Sequence, residues 1–132
     1  MNCPRCKNPM LVLELAEVEI DYCDDCGGIW LDEGELELLL EESEAKERLL
    51  NSFTRAEEVS EEKIKCPICG RKMEKVFIGD DKNVLIDKCK NQHGLWFDKG
   101  ELLETVSLGV KEKSKNKVIK LIEDMFAYKL SN

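Results

Sequence analysis

The sequence predicts a small α+β fold in which two copies of one hairpin unit are joined and followed by helices. Two observations carry this prediction. Cys3-Pro4-Arg5-Cys6 returns as Cys66-Pro67-Ile68-Cys69, 63 positions later, and residues 28–36 return as residues 94–102, 66 positions later. Matches at two such offsets indicate a tandem duplication. The three-residue difference falls in the turn-forming run at residues 79–83.

Each copy alternates apolar and polar residues between its cysteine pairs, and this alternation predicts two strands of a β-hairpin. In the first copy the apolar members are Leu11, Leu13, Leu15, Val18, Ile20 and Tyr22. In the second copy, residues 76–78 and 84–86 flank the turn. The Gly-x-Trp segment that follows each hairpin is expected to add a short third strand.

The seven cysteines and the single histidine form two groups of four, and the first group is typical of a tetrahedral metal site. An odd number of cysteines cannot close into disulfides alone. The first group has the spacing C-x2-C-x16-C-x2-C and consists of Cys3, Cys6, Cys23 and Cys26. We predict structural zinc here, because each C-x2-C pair lets two sulfurs converge on one ion. Iron in a rubredoxin-like site and a redox-active cysteine pair are the alternatives.

The second group contains Cys66, Cys69 and Cys89 and needs a fourth ligand. Gln92 occupies the position equivalent to Cys26, and His93 lies one residue further on. Because three thiolates need a fourth donor, we predict that His93 completes the site. The alternative leaves water in the fourth position and would make the site catalytic. No general base or substrate clamp is recognisable nearby, so we expect no enzyme. The sequence thus predicts a metal-stabilised pair of tandem zinc ribbons with two Zn²⁺ per chain.

The start of the helix after each ribbon is predicted from an acidic motif. Asp32 with Glu35 three residues later predicts an N-cap and a capping box, and the second copy repeats the device. We expect Gly34, inside this motif, to allow close approach of the backbone to a cysteine loop or to the tryptophan. Each tryptophan is expected to plug its own hairpin, with base stacking as the alternative. The residues with predicted structural roles are Trp30, Asp32, Glu35, Trp96, Asp98 and Glu101.

The chain divides into four predicted segments with opposite charge in its two halves. They are ribbon 1 (residues 1–36), an acidic helical linker (37–62), ribbon 2 (63–103) and a basic, amphipathic C-terminal helical tail (104–132). Residues 1–62 carry 5 Lys and Arg against 18 Asp and Glu, whereas residues 63–132 carry 15 against 10. We expect the ribbons to offer little core to the last helix, and its apolar stripe therefore predicts self-association. The alternative is packing on the linker helix of the same chain. The stripe comprises Val118, Leu121, Ile122, Met125, Phe126 and Leu130.

The composition excludes a membrane span, because the apolar runs are only a few residues long. No signal peptide is recognisable, since Glu14, Glu17 and Glu19 interrupt the N-terminal region. The expected location is the cytoplasm, where thiols stay reduced.

The run from Cys-Pro-x-Cys to Gly-Ile-Trp-Leu-Asp-Glu-Gly-Glu-Leu resembles the transcription-factor-IIB-type zinc-ribbon family of small prokaryotic proteins, over residues 3–36 and 66–102. The resemblance implies zinc, a ribbon fold and, by its name, transcription. Site two departs from the family pattern at Gln92 and His93. We expect a structural zinc-binding interaction module that docks on a protein partner. The alternative is nucleic-acid binding through the basic C-terminal half.

Overall fold

The structure is a computed structural model that describes residues 1–41, 43–57 and 62–131, with side chains described as far as residue 126. The strands are β1 (Leu11–Leu15), β2 (Val18–Tyr22), β3 (Ile29–Asp32), β4 (Thr54–Arg55), β5 (Glu74–Ile78), β6 (Val84–Lys88) and β7 (Gly94–Phe97). The helices are α1 (Glu35–Leu39), α2 (Lys46–Leu50), α3 (Glu101–Leu108) and α4 (Lys117–Ser131), with a short 3-10 turn at Lys113–Lys115.

The two predicted hairpins are present, and they differ in their turns as the two repeat offsets require. The β1–β2 turn has two residues, Ala16 and Glu17, both with positive φ, as in the tight turns that suit the twist of a hairpin. The β5–β6 turn spans residues 79–83 and contains the three extra residues. The predicted third strands are β3 and β7.

The two ribbons share one seven-stranded sheet, with the order β1-β2-β3-β7-β6-β5-β4. Its central junction is the antiparallel pair β3–β7, in which Trp30 lies opposite Trp96. On either side of this pair, Ile29 lies opposite Phe97 and Leu31 lies opposite Leu95. Since residue 30 is equivalent to residue 96 in the repeat, this register defines a pseudo-twofold axis that passes between the two tryptophans. The tandem ribbons are therefore arranged as the two halves of an internal dimer.

The two faces of the sheet bury different sets of side chains, because successive side chains of a strand point to opposite faces. One face carries Ile20, Ile29, Leu31 and Phe97, which belong to a large apolar core that the four helices cover. The other face carries the tryptophans and the cysteines. The sheet thus separates the metal sites from the helices.

The segment between the ribbons is part of the core. It forms α1 and α2 and then β4, which pairs with β5 at the far edge of the sheet. Its buried residues are Leu36, Leu39, Leu40 and Leu49. The acidic charges predicted for this segment surround an apolar face that holds it against both ribbons. The first three predicted segments therefore share one sheet, and all four contribute to one core.

The apolar stripe of α4 is buried within the same chain. Val118, Ile119 and Ile122 are buried in the main core, and the Phe126 ring lies edge-on to Tyr22 with 6.4 Å between centroids. The expectation that the ribbons offer little core to this helix is wrong, because the shared sheet presents one wide apolar face. Self-association through α4 stays a prediction, and the buried part of the stripe is already occupied. Leu130 lies outside the residues whose side chains are described. Within the described part of the chain, no helix is long and apolar enough to cross a membrane.

Candidate metal centre

Site one lies where two loops of the first ribbon meet. Cys3 and Cys6 precede β1, and Cys23 and Cys26 lie between β2 and β3. The four sulfurs lie within 4.8 Å of one another, and the sulfurs of Cys3 and Cys26 are 3.8 Å apart. The backbone N–H groups of Arg5 and Cys6 point at the Cys3 sulfur, at 3.4 and 3.3 Å. The backbone between Cys3 and Cys6 thus folds around the first sulfur of the site.

Site two is built in the same way in the second ribbon, from Cys66, Cys69, Cys89 and His93. The sulfurs of Cys69 and Cys89 are 3.7 Å apart. The Nδ1 atom of His93 lies 3.5 Å from the Cys89 sulfur and 4.0 Å from the Cys66 sulfur. The structure therefore brings together both groups of four predicted ligands, and it places Nδ1 of His93 at the fourth corner.

These distances fit zinc. A tetrahedral ion with Zn–S bonds of about 2.3 Å holds its sulfurs roughly 3.8 Å apart, and a nitrogen ligand at about 2.0 Å lies roughly 3.5 Å from each sulfur. A disulfide would bring two sulfurs to about 2.05 Å. The sulfur pairs at 3.7 and 3.8 Å match two ligands of one ion. With four protein donors each, both sites are closed structural sites.

Gln92 is a turn residue. Its backbone φ is 62°, and its N–H donates to the Cys89 carbonyl oxygen at 3.2 Å. In the first ribbon the residue with positive φ is Gly27, which follows the ligand Cys26. In the second ribbon the left-handed residue comes before the ligand. The two loops are equally long, from Cys23 to Gly28 and from Cys89 to Gly94. The second loop therefore makes its left-handed turn one residue earlier and presents its ligand one residue later than the first.

The thiols of site two differ in their environment. The backbone N–H of Arg71 lowers the pKa of the Cys69 thiol to about 6, helped by His93 and Asn91. Burial raises the pKa of the Cys66 thiol to about 11. A bound divalent ion stabilises both thiolates. Both sulfurs accept backbone N–H groups, and the pKa values of the two thiols differ because burial outweighs these hydrogen bonds at Cys66.

The two sites are connected by a buried apolar layer. It contains Trp30, Trp96, Met10 and Met73 together with the cysteines. Both tryptophans and Met73 are fully buried. Both tryptophans are thus buried apolar plugs, although they fill a layer that the two ribbons share and not only their own hairpins. Base stacking is not possible for rings that are buried in this way.

Each tryptophan lies against the opposite ribbon. A Cβ atom added to Gly28 would come within 2.2 Å of the Trp96 ring, and one added to Gly94 would come within 2.7 Å of the Trp30 ring. The first of these glycines directly precedes β3 and the second opens β7. A side chain at either position would displace the ring, so the second glycine of Cys-Gly-Gly-Ile-Trp is required by the junction.

The acidic motif differs in part from its prediction. The helix N-caps are Gly34 and Gly100, both in the left-handed region, and neither has a side-chain cap. A Cβ added to Gly34 would meet nothing within 4 Å, so positive φ and not close approach accounts for this glycine. The prediction of Asp32 and Asp98 as N-caps is wrong, because their carboxylates have another partner.

Asp32 and Asp98 accept the indole N–H of Trp30 and Trp96, at 2.8 and 3.0 Å. The other half of the predicted capping box is present. Glu35 and Glu101 each accept the backbone N–H of the aspartate three residues earlier, at 2.6 and 2.8 Å. Burial raises the pKa of Glu101 to about 7. The motif therefore anchors the tryptophan and the turn that leads into the helix.

Two ion pairs near the junction were not predicted. Arg5 of the first ribbon forms a two-pronged pair with Asp98 of the second, with Nη2 to Oδ2 at 2.9 Å. Within the second ribbon, Lys75 Nζ lies 2.8 Å from Asp87 Oδ1, and both side chains are almost fully buried, at 2% and 1% exposure. Burial raises the pKa of Asp87, against the influence of Lys75. Alternation does place both residues on one face of the hairpin, but nothing in the sequence indicates that the face is covered.

The fold and the sites define a protein of two fused zinc ribbons whose metal ions are structural. Comparison with family models matches the family described as "Transcription factor zinc-finger" over residues 2–42 and 65–107. The chain belongs to this transcription-factor-IIB-type zinc-ribbon family, as its motifs predicted. Comparison with curated proteins and with solved structures finds no match.

Proposed function

We propose that this protein is a non-catalytic adaptor whose two zinc ions hold a rigid platform that docks on another protein. The observation that carries the proposal is the closure of both metal sites. Each has four protein donor atoms within 4.8 Å of one another, which supports a tetrahedral ion with protein at every corner. Zinc in such a site stabilises a fold and does no chemistry.

Surface cavities that are lined by no metal ligand are compatible with a non-catalytic role. Four of them lie along the helices and turns, and none of these four is lined by a cysteine or by His93. The one beside the junction is lined by Asp32, Glu33 and Lys88, and also by Gln92 and Gly94, the two neighbours of His93. A catalytic metal would need a neighbouring cavity for its substrate.

Exposed apolar side chains support docking on protein. The largest exposed apolar side chains in the described part of the chain are Met1, Leu11, Val12, Leu38 and Ile68. Four of the five lie in the half whose net charge is −13. An acidic surface with apolar anchors suits a partner that presents basic and apolar groups. The family description suggests that the partner belongs to transcription, and reduced thiols suit the cytoplasm.

Capture of partners by the full zinc-loaded chain from its native cells tests this proposal. The capture should be carried out with and without nuclease. We expect the same proteins in both samples, and we expect Leu38→Glu or Val12→Glu to reduce their yield. Loss of all bound protein after nuclease treatment would contradict the proposal.

A second candidate function, nucleic-acid binding by the basic half, is favoured by one observation. Lys65 and Lys72 are bridge partners beside the first cysteine pair of site two, and both are exposed. Two like charges held side by side on a metal-supported loop suit a phosphate group. The double variant Lys65→Glu/Lys72→Glu should then abolish a salt-sensitive interaction of the full chain with duplex or single-stranded DNA. Absence of binding by the wild type at low salt would remove this candidate.

A further inference from the structure

The two outer edges of the sheet differ, although the repeats that form them are equivalent. In the second ribbon, β5 has β6 on one side and β4 on the other. In the first ribbon, β1 is the edge strand, with β2 as its one neighbour in the described sheet. An edge strand offers unpaired backbone groups to any extended segment that can reach them. The first ribbon thus has an open position where the second ribbon has a strand.

The pairing of β4 shows how such a position is filled. Thr54 lies opposite Phe77, Arg55 lies opposite Val76, and the N–H of Ala56 donates to the Lys75 carbonyl oxygen at 2.9 Å. The repeat offset of 63 relates these three partners to residues of β1. The equivalents of Phe77, Val76 and Lys75 are Glu14, Leu13 and Val12.

The backbone of β1 has the orientation that strand addition requires. Because the Lys75 carbonyl faces β4, the equivalent carbonyl and N–H of Val12 face away from β2. The N–H of Met10, two residues earlier, also points away from β2, and it donates to the Met1 carbonyl oxygen at 2.9 Å. Val12 and Leu11 are 65% and 50% exposed. This edge is therefore accessible and apolar.

Charge decides what kind of segment fits. Glu14 lies directly opposite Glu19 in the β1–β2 ladder, and both are exposed. Like charges at directly opposed positions repel, and a cation beside them would relieve the repulsion. A second copy of this chain that paired with β1 about Glu14 would place another Glu14 against the pair, so self-pairing in that register is disfavoured. The pattern favours a basic residue in the incoming strand opposite Glu14.

From these observations we infer that the β1 edge binds an extended segment of a protein partner by strand addition. The segment alternates basic and apolar residues and runs antiparallel to β1, as β4 runs along β5. A basic residue lies opposite Glu14, and the next residue, opposite Leu13, is apolar because Leu13 packs against the main core. This inference rests on the proposed function and identifies the chemistry of the partner.

The test uses the full zinc-loaded chain and a peptide in which valine and lysine alternate. The peptide has about six residues, the usual length of a strand. Amide chemical shifts and hydrogen exchange are followed during the titration. We expect changes centred on residues 10–15 and slowed exchange at Val12 and Glu14. A peptide of the same composition with its lysines in one block serves as the control for unspecific charge attraction, and it should bind more weakly.

Two substitutions test the edge itself. Val12→Pro removes an N–H that faces away from β2, so it leaves the β1–β2 hydrogen bonds in place. Proline is tolerated at such edge positions. Val12→Pro should lower the affinity for the alternating peptide by about tenfold, whereas Val12→Thr should bind the peptide as the wild type does. Glu14→Lys should reverse the preference toward a valine–glutamate peptide. Zinc content and the amide spectrum establish that each variant is folded.

Shift changes away from β1, or wild-type affinity in Val12→Pro, would overturn the inference. A native partner that binds Val12→Pro as tightly as wild type would also overturn it, while the proposed adaptor function would stand. Failure of the proposed function itself is recognised separately, because the capture experiment then yields no protein partner at all.

Discussion

Trp30 and Trp96 occupy equivalent positions in the two repeats, and they also lie directly opposite each other across the junction of β3 and β7. Each ring covers the glycine of the other ribbon, Gly94 or Gly28. The contact is reciprocal, as in a symmetric interface where the same patch is used twice. The stability of each ribbon therefore depends on the sequence of the other.

The first prediction concerns this reciprocal contact. Gly28→Ala should destabilise the zinc-loaded protein by about 2 kcal/mol, because the added methyl group overpacks the Trp96 ring. Trp96→Phe removes the ring atoms that would be approached, Cζ2 and Cη2. The double variant should therefore be more stable than the sum of the single effects predicts. Denaturant unfolding at fixed zinc concentration measures all three, and strict additivity would contradict the contact.

The second prediction concerns the metal content. Elemental analysis should find two zinc ions per chain, and chelation should unfold the hairpins because metal binding is coupled to folding. His93→Ala should lower the affinity of site two and leave site one filled. Gln92→Ala is the matched control, since Gln92 forms a turn beside the ligand. Equal affinity in His93→Ala and wild type would show that another group completes the site.

The third prediction concerns the buried pair of Lys75 and Asp87. Asp87→Asn should cost about 3 kcal/mol, because it removes the negative charge that lies 2.8 Å from a buried ammonium group. Asp21→Asn, at the equivalent and more exposed position of the first ribbon, should cost about 0.5 kcal/mol or less. Replacement of both Lys75 and Asp87 by apolar residues should restore most of the loss. Equal effects of the two asparagine substitutions in denaturant unfolding would contradict the burial.

The fourth prediction is a pH dependence. Burial raises the pKa of Glu101 to about 7, above its ordinary value of 4.5. The folded state thus holds this proton more tightly than the unfolded state, so Glu101 lowers stability as pH rises from 4.5 to about 7. Glu101→Gln should match the wild type near the lower end of this range and exceed it in stability near pH 8. Unfolding of both proteins across this range, with zinc saturating, compares them. A constant difference at every pH would count against the shift.

The fifth prediction concerns α4. Ile122→Ala should destabilise the protein by about 2–4 kcal/mol, because Ile122 is fully buried in the core beneath the sheet. Lys120→Ala, on the exposed side of the same helix, is the control and should have little effect. Sedimentation of Ile122→Ala and wild type then examines self-association. If the buried stripe instead joined two chains, Ile122→Ala would dissociate a dimer without lowering monomer stability.

The ligands were predictable because their signal is local. A C-x2-C pair brings two sulfurs to one ion within a single turn, and the repeat supplies the second copy of each pair. Gln92 and His93 show the limit of that reasoning. The alignment favours Gln92, and chemistry selects His93, because only the histidine offers a nitrogen ligand. The predicted hairpins are confirmed for the same local reason, since alternation has the period of a strand.

The junction was not predictable, because the pairing of β3 with β7 joins residues that are 66 positions apart and nothing in either strand alone indicates its partner. The same holds for α4. Its amphipathic pattern predicts a buried face but does not identify the surface that buries it. The acidic motif misled in a further way: Asp32 and Glu35 have the spacing of a capping box, yet the indole of Trp30 competes for the aspartate. The competing donor is itself local, two residues before the aspartate, so the spacing alone does not decide which hydrogen bond the carboxylate accepts.

The register of β3 against β7 has a consequence for how such a chain originates. A polypeptide with a single copy of the unit would leave the third strand unpaired and its tryptophan without the glycine that receives it. Two such polypeptides would satisfy each other across the same axis, so the simplest ancestor of this architecture is a symmetric homodimer. A chain with both copies replaces the concentration-dependent encounter by a tethered one. Its two halves need not stay identical, and in the described sheet one outer edge is filled by β4 while β1 forms the other.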